Sequence, residues 1–187
     1  MISAPVEMDS PLWRFSLAVY RGAGVQEECL AVQERYGVDV NLLMLVAYAG
    51  AVEGAELSAG DVSDALAASG AWHADVVRVL RQARRSLKPL SEAGAWAQVV
   101  APLRLKVKAA ELESEQIEQA MLWAWLGARM ARLPRRDPRA ALAANIRALL
   151  VRCGATGEGA DPSKTLPHFC AAALAMNARP RATGTGT

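Results

Sequence analysis

The chain has 187 residues, and its 21 lysines and arginines against 19 aspartates and glutamates give a formal net charge of only +2. Apolar residues make up 52% of the sequence, which excludes an intrinsically disordered chain and is enough for a core without disulfide or metal support. The longest uninterrupted apolar run, residues 42–52, is shorter than the roughly 20 residues that cross a bilayer, and this excludes a membrane-spanning helix.

The first third of the sequence predicts three helices. Ser10 and Pro11 are a favourable N-cap and first helical residue, so the first helix is expected over residues 10–21. The second is expected over residues 25–36, and a glycine follows it. The third, over residues 40–52, is apolar on nearly all sides, which indicates a central position in the core.

The rest of the sequence continues the helical pattern without a strand. Ser58 is expected to cap a short helix that ends at Gly70, and the next helix is expected over residues 72–87, closed by a proline. A long helix begins near Pro102, and Asp137 caps the helix after it. A last helix is expected to open at Asp161–Pro162 and to reach residue 177.

These elements predict an all-α fold, a single compact bundle of about seven or eight helices without a sheet. The bundle is expected to cover residues 10–177, with disordered ends at residues 1–9 and 178–187. The N-terminal segment has acidic residues where a secretory signal needs positive charge. Together with three cysteines in no Cys-x-x-Cys motif, this predicts a soluble cytoplasmic protein with free thiols.

A signature in the N-terminal third points to a known family. It consists of Leu12–Trp13 with Phe15, Tyr20, Gly24–Val25, Cys29–Leu30, Gln33, Gly37 and the run Asp39-Val40-Asn41-Leu42-Leu43. Residues 109–122 form a second, weaker segment. On these residues the sequence resembles a mainly proteobacterial family that is known only as a domain of unknown function, over about residues 10–130. The resemblance implies a small helical cytoplasmic protein and brings no activity, cofactor or catalytic residue with it.

Few residues have the spacing of a chemical site. Glu111, Glu115 and Glu118 share one helical face, as a carboxylate metal site would require, but no histidine adjoins them in the sequence. His73 stands alone, and no cysteines and histidines have zinc-like spacing. The sequence therefore predicts no metal site and no cofactor, and it predicts that the three glutamates form a solvated face.

Asp39 and Asn41 introduce the third predicted helix and form a candidate polar pair. As an N-cap, Asp39 would accept a hydrogen bond from the backbone N–H of Asn41 or Leu42. Asn41 then lies in the first turn of a buried helix, where an unpaired polar group costs about 1–3 kcal/mol. We interpret the pair as structural, with a ligand pocket at the helix start as the alternative.

The two halves of the chain differ in charge. Residues 1–77 hold 11 acidic and three basic residues, whereas residues 78–187 hold eight acidic and 18 basic residues. The candidate basic surface comprises Arg78, Arg81, Arg84, Arg85, Lys88, Arg132, Arg135, Arg136 and Arg139. Such a surface fits nucleic-acid phosphates, a protein partner or the acidic half of the same chain.

No nucleophile motif and no phosphate-binding loop is found, so the sequence favours a protein without catalytic activity. The leading hypothesis is a protein–protein interaction or regulatory module. The alternatives are an RNA- or DNA-binding protein that uses the basic half, and a small-molecule-binding protein or enzyme with a pocket near Asp39 and Asn41.

Charge reversal at Arg81, Arg84 and Arg85 is expected to leave folding nearly unchanged, because these residues occupy a polar helix face.

Overall fold

A computed structural model describes residues 6–177. Within them nine α-helical segments follow one another: α1 (Pro11–Tyr20), α2 (Val25–Tyr36), α3 (Val40–Ala51), α4 (Ala59–Trp72), α5 (Arg78–Glu92), α6 (Ala97–Gly127), α7 (Pro138–Arg152), α8 (Pro162–Thr165) and α9 (Pro167–Asn177). A π-helical turn, His73–Val77, joins α4 to α5, and α8 is a single turn. The described residues contain one isolated β-bridge and no strand, so the predicted all-α fold is confirmed.

Three of the N-caps expected from the sequence are present. Ser10 Oγ accepts a hydrogen bond from the backbone N–H of Trp13 at 3.1 Å. Ser58 and Asp61 form a reciprocal capping box at the start of α4. Asp137 accepts from two backbone N–H groups of the first turn of α7. Each such cap stabilises its helix by about 1 kcal/mol because it satisfies a backbone N–H that has no partner within the helix.

Several helix boundaries differ from the prediction. α4 continues past Gly70 through the π-helical turn into α5, and α5 continues through Pro89, where a stop was expected. α6 begins at Ala97, ahead of Pro102. The predicted last helix is divided at Leu166 into α8 and α9. A proline inside a helix removes one backbone hydrogen bond, and the two helices that contain these prolines, α5 and α6, pack against each other.

α3 lies at the centre of the molecule, as its sequence predicted. Eleven of its 12 residues are buried, and α1, α6, α7 and α9 pack around it. α7 approaches α3 so closely that a Cβ atom built on Gly50 would lie 2.6 Å from the Cα of Leu142. Asn145 of α7 donates hydrogen bonds to the carbonyl of Val46 within α3 and to the carbonyl of Ala55 in the segment after it, so this buried amide links α7 to both.

One hydrophobic core extends through α1, α2, α3, α4, α6, α7 and α9. α5 contributes no buried residue and packs against α6, so the two helices form the α5–α6 hairpin.

Residues 6–9, predicted to be disordered, lie against α6, where Trp123 donates to Glu7 and Gln116 to the carbonyl of Met8. The disorder predicted for residues 1–5 and 178–187 concerns residues outside the described part. No helix between residues 6 and 177 is long and apolar enough to cross a membrane.

Candidate functional site

A chain of buried polar side chains connects α1, α3 and α6. Ser16 Oγ donates to Gln119 Oε1 at 2.8 Å, and Gln119 Nε2 donates to Asn41 Oδ1 at 3.0 Å. Asn41 Nδ2 in turn donates to Glu118 Oε2 at 2.7 Å. All four side chains are buried, and each bond satisfies groups that would otherwise destabilise the fold by about 1–3 kcal/mol. Asn41 is therefore partnered by side chains of α6 and not by a neighbouring backbone.

At the end of this chain, Glu118 meets His73 and Asp39. His73 Nδ1 lies 3.1 Å from Glu118 Oε1 and 3.3 Å from Asp39 Oδ2. Asp39 Oδ1 accepts the backbone N–H of Asn41 at 2.9 Å, as predicted for the N-cap of α3. Asp39 Oδ2 has no hydrogen-bond partner in residues 6–177. We call Asp39, His73 and Glu118 the carboxylate–histidine cluster.

The three titratable groups of this cluster change one another's pKa values. Burial, and next the neighbouring Glu118 carboxylate, raise the pKa of Asp39 to about 7. Burial alone would lower the pKa of His73, but the hydrogen bond to Glu118 and the charge of Asp39 outweigh it and raise that pKa. Burial opposes ionisation of Glu118, yet its hydrogen bonds, above all the one to His73, lower the pKa of Glu118. Two buried carboxyl groups thus share a single imidazole, and the repulsion between the two carboxylates opposes ionisation of Asp39.

The elements that carry the cluster explain its position. Asp39 is fixed as the cap of α3, and His73 is the first residue of the π-helical turn. Turns of this type are frequent at functional sites because they displace one side chain from the regular helical register. The prediction that His73 stands alone is wrong, since it contacts Glu118 across 45 positions of the sequence.

Glu111 and Glu115 lie further along α6 and form ion pairs with α5. Arg81 pairs with both carboxylates, and Arg84 pairs with Glu111. The side chain of Arg81 is only 16% exposed, and Glu111 and Glu118 are buried. The predicted solvated glutamate face is therefore wrong, because α5, the π-helical turn and α3 cover this face of α6.

The nine residues of the candidate basic surface lie on α5 and in the region from Arg132 to Arg139 at the start of α7. Within the described residues, ion pairs engage Arg81, Arg84, Arg135 and Arg136. Arg135 and Arg136 pair with Glu53 and Glu56 of the acidic half. These pairs leave less free positive charge for a nucleic acid than the sequence alone indicates.

A cleft of about 470 Å³ has the buried polar chain as part of its lining. Its buried polar groups are Ser16, Asn41, Gln119 and Glu111. The carboxylates of Glu111 and Glu115 on this lining are paired with Arg81, and Glu111 also with Arg84. Its apolar lining consists of Trp13, Leu17, Tyr20, Cys29, Leu30, Val40, Met44 and Leu112. The remaining lining includes Arg85 and Lys108, which are exposed and form no ion pair within residues 6–177. We call this cavity the Asn41 cleft.

A second cleft, of about 680 Å³, reaches the carboxylate–histidine cluster, and we call it the His73 cleft. Asp39 and His73 both line it, and the His73 side chain is 18% exposed. Glu118 is 0% exposed and lines neither cleft. Arg81 lines both cavities, so its ion pairs with α6 form part of the boundary between them.

The sequence contained two signals for this region. The helical spacing of Glu111, Glu115 and Glu118 placed three carboxylates on one face, but nothing local identified their partners. Asp39 and Asn41 were identified as a polar pair, whereas His73 and Gln119 were missed. Their roles depend on contacts between helices that are distant in the sequence.

Comparison with known proteins finds a family model that covers this region. Residues 11–122 match a family model described as "Protein of unknown function (DUF2390)". The match confirms the resemblance to a family of unknown function, and it includes Asp39, Asn41, His73 and Glu118. No curated protein and no solved structure matches the chain.

Proposed function

The chain belongs to the DUF2390 family of proteins of unknown function, and we propose that it binds a small organic anion with an apolar body in the Asn41 cleft. One observation carries the proposal. A single cavity combines an apolar lining, buried amide groups and two cations without ion-pair partners in the described part of the chain. This is the third of the functions considered from the sequence, with the pocket beside Asn41.

The size and lining of the cleft fit a small molecule. Ligand pockets enclose about 300–1,000 Å³ and combine mainly apolar walls with a few oriented polar groups. The Asn41 cleft, at about 470 Å³, lies within this range. Trp13, Leu17 and Met44 supply apolar contact area from α1 and α3. The cleft therefore favours a ligand with an apolar ring or chain.

The polar groups of the cleft would orient the ligand. A side-chain amide has two N–H groups and two acceptor positions, and Asn41 and Gln119 each use one N–H in the buried chain. Each amide keeps a second N–H for a ligand acceptor. Arg85 and Lys108 attract an anionic group to the cleft, because neither has a carboxylate partner among residues 6–177.

The fluorescent probe 8-anilinonaphthalene-1-sulfonate tests this proposal, since it joins an apolar ring system to one anionic group. Titration of the full chain is expected to show one saturable site with increased fluorescence. Leu17→Trp fills the cleft and is expected to weaken binding about tenfold, equivalent to about 1.4 kcal/mol. Val99→Trp adds the same ring at an exposed position on α6 and is expected to leave the affinity unchanged. Equal affinity in both variants would contradict the proposal.

A second candidate function, the protein-interaction module, is favoured by the exposed apolar residues of the α5–α6 hairpin. Trp96 is 72% exposed, and Leu90, Val99, Leu103 and Leu105 are also exposed. Exposed apolar groups in such number are typical of interaction surfaces, and Lys88 and Lys106 on the same hairpin favour an acidic partner.

A photo-crosslinking amino acid at position 96 tests the second candidate in cells that express the protein naturally. The amino acid at position 96 is expected to form a crosslinked product with one protein. The same residue at position 151, another exposed apolar position on α7, serves as the control and is expected to capture none. Equal products at both positions would reject the hairpin as an interaction surface.

A further inference from the structure

The carboxylate–histidine cluster has the composition of a metal site. We propose that Asp39, His73 and Glu118 bind one divalent transition-metal cation, of which Mn²⁺ and Zn²⁺ are the test cases. The cation would have access from the His73 cleft, which Asp39 and His73 line. The inference goes beyond the proposed small-molecule binding and does not depend on it, because none of the three proposed metal ligands lines the Asn41 cleft.

The distances within the cluster fit a shared cation. His73 Nδ1 lies 3.1 Å from a Glu118 oxygen and 3.3 Å from Asp39 Oδ2, and the three ligand atoms lie within 4.8 Å of one another. Neighbouring ligands around a cation with bonds of about 2.1 Å are separated by roughly 3.0–3.5 Å in octahedral or tetrahedral geometry. The two separations that involve His73 Nδ1 therefore match neighbouring positions of one coordination shell, and the separation between the two carboxylates is no longer than 4.8 Å.

Burial supplies a second and independent observation. Asp39 is 6% exposed, and its Oδ2 atom has no hydrogen-bond partner in the described part of the chain. His73 Nδ1 lies 3.3 Å from this oxygen but without hydrogen-bond geometry, so the buried oxygen has lost its hydration without gaining a hydrogen bond. A cation beside His73 Nδ1 would satisfy this oxygen. When the imidazole is neutral and both carboxyl groups are ionised, the cluster carries two negative formal charges, which a divalent cation balances.

The surroundings of the cluster hold its ligands in place. Asn41 Nδ2 binds the Glu118 carboxylate at 2.7 Å, and Gln119 fixes the orientation of the Asn41 amide. The backbone N–H of Asn41 binds the other oxygen of Asp39. Hydrogen bonds of this kind orient metal ligands, and their loss commonly lowers metal affinity about 10- to 100-fold. The buried polar chain thus acts as support for the site.

The ligand types decide which cations fit. Ca²⁺ and Mg²⁺ prefer oxygen ligands throughout, whereas an imidazole nitrogen with carboxylates suits Mn²⁺, Fe²⁺ and Zn²⁺. Three protein ligands leave coordination positions for water or for another molecule from the His73 cleft. A transition metal is therefore favoured over an alkaline-earth ion.

The second histidine of the chain provides a matched comparison. His168 Nδ1 lies 2.6 Å from Glu28 Oε1, but Glu28 also accepts the backbone N–H groups of His168 and Phe169. Both carboxylate oxygens therefore have partners, and within residues 6–177 only the carboxylate–histidine cluster gathers three metal-binding side chains. His168→Gln is thus a control that removes a histidine paired with a carboxylate but leaves the cluster intact.

The test is a calorimetric titration of the full chain, freed of metal with EDTA, with MnCl₂ and separately with ZnCl₂. One cation per chain is expected. Asp39→Asn and His73→Gln are each expected to weaken binding at least about tenfold, while His168→Gln leaves it unchanged. Asparagine is also a favourable N-cap, so Asp39→Asn keeps the start of α3, and circular dichroism confirms folding.

Three results would overturn the proposal. The first is the absence of stoichiometric binding of both Mn²⁺ and Zn²⁺ at concentrations up to about 1 mM in the wild-type chain. The second is an equal loss of affinity in the His168→Gln control. The third is tighter binding of Mg²⁺, titrated as MgCl₂, than of Mn²⁺. Probe binding to the Asn41 cleft is measured without metal, so failure of one proposal is distinguished from failure of the other.

Discussion

At the scale of single residues, two side chains at equivalent positions of the helical pattern can differ in burial and in their ion pairs. Arg81 and Arg85 both lie on the polar face of α5, four positions apart. Arg81 is largely covered and pairs with two carboxylates of α6, whereas Arg85 is exposed and forms no ion pair within residues 6–177. Equivalent positions in the helical pattern therefore make different contributions to stability.

Charge reversal at these two arginines is expected to have unequal effects. Arg81→Glu places a third carboxylate beside Glu111 and Glu115 in a half-buried setting, and we expect it to lower the free energy of unfolding by about 2 kcal/mol or more. Arg85→Glu is expected to change it by no more than about 0.5 kcal/mol. This replaces the expectation of unchanged folding for Arg81. Urea denaturation of both variants measures the difference, and equal midpoints would contradict the ion-pair assignment.

At the scale of secondary-structure elements, the contact between α3 and α7 depends on one glycine. A Cβ atom on Gly50 would lie 2.6 Å from both the Cα and the backbone N of Leu142. Real Cβ atoms do not approach backbone atoms so closely, and a backbone cannot rotate away as a flexible side chain can. The central position of α3 therefore depends on an unobstructed backbone at residue 50.

Gly50→Ala is expected to lower the free energy of unfolding by about 1–3 kcal/mol, because α3 and α7 must move apart. Gly70→Ala is the matched control. Gly70 lies within α4, and a Cβ there would meet nothing within 4 Å, so alanine should stabilise the protein by about 0.5–1 kcal/mol through its higher helix propensity. Chemical denaturation should give shifts of opposite sign. A stabilised Gly50→Ala variant would show that the two helices are not in close contact.

At the scale of the whole molecule, the core extends beyond the segment that matches the family model. That match ends at residue 122, whereas Leu142, Ile146 and Phe169 belong to the same buried cluster as α3. α7 and α9 both pack on α3. The residues that define the family are therefore enclosed in part by a segment that the family model does not cover.

Truncation after residue 130 removes α7 and α9 and exposes a large part of α3 to water. We expect the truncated chain to lose cooperative thermal unfolding, because it no longer buries the apolar surface of its central helix. The full chain is the reference, and differential scanning calorimetry compares the two. A cooperative transition of undiminished enthalpy per residue in the truncated chain would show that the family segment folds by itself.

Only part of the polar site could be predicted from the sequence. The cap at Asp39 and the need of Asn41 for partners were predictable, because capping and burial at a helix start depend on a few adjacent residues. The partners themselves were not. Glu118 and Gln119 lie 77 and 78 positions from Asn41, and a helical pattern shows which residues share a face but not which helix covers it.

The sequence by itself determined the all-α fold, the N-caps and the burial of α3, since periodicity and capping act over distances of a few residues. Only the tertiary structure decided that His73 meets Glu118, that Arg81 is enclosed, and that two clefts flank the polar chain. The physical reason is that these features arise from the docking of α5 and the π-helical turn on α6. That docking brings together charges whose partners no local pattern specifies.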